Sequence, residues 1–66
     1  MRIHVNGAAL SLPDTATVAD LIAHQGLGGR RIAIERNGEI VPRSQHATCQ
    51  LAEGDRLEIV HAIGGG

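Results

Sequence analysis

No Phe, Tyr or Trp occurs among the 66 residues. The core therefore has to be built from Ile, Leu and Val with Ala as filler, and a domain this small draws only about 3–5 kcal/mol from such a core. That leaves little room for a buried polar catalytic site of its own. Lysine is missing too: the basic residues are Arg2, Arg30, Arg31, Arg36, Arg43 and Arg56. The only primary amine is that of Met1, so Schiff bases and isopeptide links find almost no acceptor. A single cysteine, Cys49, excludes an internal disulfide and points to a reducing, cytoplasmic setting. No apolar run approaches the roughly 18 residues that cross a bilayer. Met1-Arg2 leads straight into alternating residues instead of a signal peptide. With a formal net charge of −1, neither nucleic acid nor an anionic membrane is expected as a partner.

What is present is local order. Ile3 and Val5 alternate with Arg2, His4 and Asn6, the period of a half-buried strand. Asn6-Gly7 favours a type I′ turn, because both central positions need positive φ. Leu10 and Leu12 then alternate with Ala9 and Ser11 to complete a hairpin, ended by Pro13-Asp14. Thr17 reads as a helix N-cap, with Asp20 closing a capping box. Val18, Leu21, Ile22 and Gln25 make a stripe expected to face the sheet over about two and a half turns, and Gly26 is the natural left-handed residue after the helix. Ile32 and Ile34 point inward from a third strand. Asn37-Gly38 returns the chain through Glu39, Ile40 and Val41, and Pro42 ends or edges that strand. Ser44 to Gln50 has no period and reads as a loop with one tight turn. Leu51 is expected to plug the core, Glu53-Gly54-Asp55 to turn, and Arg56 to His61 to form the last strand, with Leu57 and Ile59 inward and Val60 on the opposite face. A last strand beside the first, with one helix across one face, gives a two-layer α+β domain. The order matches the β-grasp topology, a mixed sheet of four to five strands. The domain is expected over residues 1–62, with a flexible glycine-rich tail over 63–66.

The candidates for chemistry are few. His4, His24, His46 and His61 lack the close spacing of a zinc set, and one cysteine adds little; they read as exposed or structural. His46 and Cys49 are near neighbours, but a thiol–imidazole pair needs an orienting group; Cys49 reads as inert. Gly28-Gly29-Arg30-Arg31 follows a helix instead of opening one, which argues for a solvated turn over a phosphate cradle. No paired carboxylates are evident, the acidic residues falling on turns and exposed strand positions. There remains Ile63-Gly64-Gly65-Gly66. The run is either a frayed end or scar, or a thin arm that threads a channel and presents the Gly66 carboxylate. That carboxylate is ionised at neutral pH. It is a poor electrophile but a usable nucleophile toward the α-phosphate of ATP, and the acyl adenylate so formed accepts a sulfur nucleophile. Val60, Ala62, Ile63, Gly64 and Gly65 are then expected to contact partners, with edge packing the alternative for Val60 and Ile63.

The T-V-A-D-L-I helix start, A-I-E-R-N-G-E-I-V-P-R-S-Q-H through the second hairpin, E-G-D-R-L-E-I-V, and the V-H-A-I-G-G-G end together resemble the thiazole-biosynthesis sulfur carriers (ThiS-type), a ubiquitin-like β-grasp family. The resemblance spans essentially the whole chain. Three terminal glycines stand where the family usually has two. The resemblance implies a carrier without an active site or bound cofactor of its own. An E1-like adenylyltransferase (ThiF-type) would use ATP and magnesium on Gly66, a cysteine desulfurase would supply sulfur, and thiazole synthase (ThiG-type) would consume the thiocarboxylate. Rival readings are the small subunit of molybdopterin synthase, a protein modifier, and a ubiquitin-like interaction module with an incidental tail.

Overall fold

The computed structural model describes residues 1–61. Strands β1 (Arg2–Val5) and β2 (Ala8–Ser11) form the first hairpin, followed by helix α1 (Val18–His24). Strands β3 (Ile32–Arg36) and β4 (Glu39–Val41) form the second hairpin. A 3₁₀ turn spans Arg43–Gln45, and β5 (Arg56–His61) closes the sheet. The five strands lie in the order β2-β1-β5-β3-β4. β5 runs parallel to β1, with His4 opposite Arg56, and antiparallel to β3, with Ile32 opposite His61. This is the β-grasp arrangement, with the last strand in the centre of the sheet.

Both Asn-Gly turns adopt the backbone their sequence demands: Asn6 and Asn37 have φ of 50° and 51°, Gly7 and Gly38 of 87° and 88°. Each asparagine also clamps β5. Asn6 Oδ1 accepts from the Ile59 N–H at 2.8 Å, and Asn37 Oδ1 accepts from the Arg56 N–H at 2.9 Å. The central strand is thus held by side chains of both hairpin turns, where the flanking ladders run out.

The core comprises Ile3, Val5, Leu12, Ala16, Val18, Leu21, Ile34, Val41, Leu51, Leu57 and Ile59. Leu10, Ile22 and Ile32 are only half-buried at its margin. The helix has seven residues, shorter than the stripe suggests, and Gln25 is its exposed C-cap instead of an inward residue. The reason is the Schellman ending. Gly26, at φ 70°, donates to the Ala23 carbonyl, and the Leu27 N–H returns to the Ile22 carbonyl at 3.0 Å. That turn makes Leu27 the apolar partner of Ile22. Leu27, not Gln25, thereby continues the helix's apolar side.

The start of α1 explains the aperiodic loop. The capping box is present: the Asp20 N–H donates to Thr17 Oγ1 and the Thr17 N–H to Asp20 Oδ2. The next orphan donors of the first turn are satisfied from the loop, Val18 N–H by the Cys49 carbonyl at 2.9 Å and Ala19 N–H by the His46 carbonyl at 2.8 Å. Leu51, buried as expected, ties back through its N–H to the Ala16 carbonyl.

Candidate functional site

The expected arm, residues 63–66, follows β5 in the sequence. Gly66, Gly65, Gly64, Ile63 and Ala62 lie outside the described residues, as does the boundary placed after residue 62. Val60 is described, and it is 53% exposed on the sheet face opposite the helix. In register it faces Ala33 of β3. One row along the same face, Glu58 faces Glu35, and Glu35 faces Ile40. Ile40 is 62% exposed. Val60, Ala33 and Ile40 therefore form an exposed apolar strip bordered by Glu35 and Glu58, beside the last described residues of β5. The sequence reading took Val60 from this strip and overlooked Ile40. The alternation of inward Val41 with outward Ile40 was the available signal.

One carboxylate departs from the expectation that the acidic residues are exposed. Asp55 is buried. Its Oδ2 accepts from Arg36 Nε at 2.8 Å and from the Ala52 N–H at 2.8 Å, while Oδ1 accepts from Asn37 Nδ2 at 3.0 Å. Burial pushes this carboxyl up, but hydrogen bonds from Asn37, Arg36 and Ala52, with the charge of Arg36, outweigh it and hold the group below the usual carboxylate range. Reciprocally, the Arg36 guanidinium is raised, chiefly by its bond to Asp55. The cluster joins the second hairpin turn to the start of β5, so it is structural support for the strand that carries the arm.

Cys49 and His46 do not form a pair. The His46 Nε2 donates to the Val41 carbonyl at 3.0 Å, and Cys49 Sγ lies 3.9 Å from Arg36 Nη1. Among the described residues, no three His, Cys, Asp or Glu side chains gather as a metal site. On the helix side, a shallow cavity of about 310 Å³ is walled by Ile22, Leu27, Ile32, Gly29, Arg30, Arg43 and His46, and the neighbouring one by Gln25, Leu27, Ile59 and His61 among others.

The family model described as the ThiS family matches residues 2–66. The sulfur carrier protein ThiS of Bacillus subtilis is 40% identical over 53 residues, covering 80% of each chain. A thiazole synthase of Paramagnetospirillum magneticum is 42% identical over all 66 residues, which make up 20% of that protein. A second, from Magnetococcus marinus, is 36% identical with the same coverage. The chain thus spans about a fifth of the length of these two relatives. Among solved structures, the crystal structure of the thiamine biosynthesis protein ThiS from Geobacter metallireducens superposes with a TM-score of 0.84 at 25% identity, covering 100% of both chains.

Proposed function

The chain belongs to the ThiS family, and on that premise we propose that it is a sulfur carrier for thiazole synthesis whose working group is the Gly66 carboxylate. The observation that carries the reading is the extent of the family match, which runs through the terminal glycines to residue 66. The name of the Bacillus subtilis relative and the two thiazole synthases that contain a matching segment support the same pathway.

The chemistry divides into two activated steps. In an E1-like adenylyltransferase, using ATP and magnesium, a Gly66 carboxylate oxygen attacks the α-phosphorus and expels pyrophosphate. A persulfide sulfur delivered from a cysteine desulfurase then attacks the acyl carbon and expels AMP. A thiol takes the donor's remaining sulfur as a disulfide, leaving the thiocarboxylate. Thiazole synthase accepts that sulfur. The carrier contributes a terminal carbonyl with no Cβ on its residue, open to approach from either side. It also contributes a body for partners to hold; five residues, 62–66, could span at most ~18 Å if fully extended. Val60, Ala62, Ile63, Gly64 and Gly65 are the residues proposed to meet partners.

Intact mass spectrometry tests the reading. Incubation with the adenylyltransferase, ATP and a sulfur donor is expected to replace one oxygen by sulfur; an unchanged mass with competent partners refutes it. The outer strip makes a separate prediction. Val60→Asp places a charge on an exposed apolar position and is expected to weaken partner binding about tenfold, with the thermal midpoint unchanged. Unaltered affinity in titration calorimetry would remove the strip from the interface.

A further inference from the structure

The cavity floored by Ile22, Leu27 and Ile32 has an electrostatic character the linear sequence conceals. Ile22 and Leu27 are the apolar pair of the Schellman ending, fixed by the backbone bond between them. Arg30 follows from the same turn, its N–H bonded to the Leu27 carbonyl at 3.1 Å. Arg43 and His46 arrive from the 3₁₀ turn and its C-cap, and line the same cavity. Leu27 also lines the adjoining cavity, which extends to His61. Neither cavity has an Asp or Glu in its wall, although the chain has seven acidic residues. Among the described residues, the ion pairs are Met1–Asp14 and Arg36–Asp55, so Arg30 and Arg43 have no carboxylate partner there.

The position matters as much as the charge. Ile32 lies directly opposite His61, the last residue of β5. The basic rim therefore flanks His61, the last described residue of β5, on the helix side of the sheet, while the Val60 strip occupies the other side.

We propose that the Arg30–Arg43–His46 rim over its apolar floor is the surface by which the activating enzyme grips the carrier, through an acidic patch around an aliphatic side chain that enters the cavity. This inference rests on the carrier reading above. The floor is apolar and the guanidinium groups sit exposed around it, an arrangement suited to an aliphatic residue ringed by carboxylates more than to a small anion seeking convergent donors. A rim of exposed charges accelerates encounter while permitting release. Activation requires both, since the enzyme binds an unloaded carrier and must discharge a loaded one.

The test compares wild type with Arg30→Ala/Arg43→Ala and with the charge-matched control Arg2→Ala/Arg56→Ala, which removes two exposed arginines at the opposite end of β5. Affinity for the adenylyltransferase is measured at low and high salt, and sulfur loading is followed by mass on the same samples. The rim variant is expected to bind about tenfold more weakly at low salt, with a shallower salt dependence, while the control stays close to wild type. Wild-type affinity in the rim variant, or equal weakening in the control, overturns the assignment. So does an effect confined to thiazole synthase binding. If wild type loads sulfur while the rim variant binds unimpaired, the rim assignment alone falls; if wild type neither binds nor loads, the carrier reading falls with it.

Discussion

Deleting Gly65 and Gly66 is expected to abolish sulfur loading while leaving the melting temperature unchanged. The described fold closes at His61, and its core residues all precede that point. The two glycines bring no side chain to pack, so their loss removes no apolar burial. What it removes is reach and the terminal carbonyl's lack of hindrance. Gly65→Val separates these two effects, because it retains chain length and the Gly66 carboxylate. A β-branched residue is stiff at χ1 and wide at Cβ, and on the proposed reading it would meet the wall of a channel shaped for glycine. Adenylation, followed by pyrophosphate release, is expected to fall at least about a hundredfold in this variant, in keeping with the sensitivity of reaction rates to small misplacements. Normal adenylation of Gly65→Val would contradict a narrow channel, and sulfur loading of the shortened chain would contradict Gly66 as the reacting residue.

Features that depend on neighbours in sequence were legible before the structure. Asn6-Gly7 and Asn37-Gly38 specify their turns by positive φ, Thr17 and Asp20 cap the helix within one turn, and the alternation around Ile3, Ile34, Leu57 and Ile59 selects the inward face. Features that depend on distant segments were not. The loop carbonyls of His46 and Cys49 complete the first turn of α1, a role that leaves no periodicity because backbone atoms perform it. Asp55 resembles an ordinary turn residue until Arg36 and Asn37 are brought against it. Likewise Arg30 reads as part of a solvated turn until Arg43 and His46 are folded beside it. The proposed reacting group follows the opposite pattern: its chemistry comes from the terminal glycines and the family resemblance, while the structure describes the platform that precedes them.

Asp55→Ala is expected to cost about 3 kcal/mol, most of the stability available to a domain of this size. The substitution removes the acceptor of three hydrogen bonds and leaves the Arg36 guanidinium without its partner. Because Arg36 is part-exposed, water relieves some of that loss. Urea denaturation at neutral pH measures the effect, and a loss below about 1 kcal/mol would show that the cluster contributes little. The acid profile supplies a second readout. The folded carboxyl lies below its unfolded value, so its stabilisation is fully present above the unfolded pKa of about 3.9 and is lost as pH falls through the folded value. Asp14 is lowered as well, chiefly by its hydrogen bond with the Met1 ammonium, so the wild-type profile contains both contributions. Asp55→Asn isolates one of them: its stability should decline less between neutral and acidic pH than that of wild type, the two curves converging in acid. Parallel curves would mean that the Asp55 charge does not stabilise the junction between the second hairpin and β5.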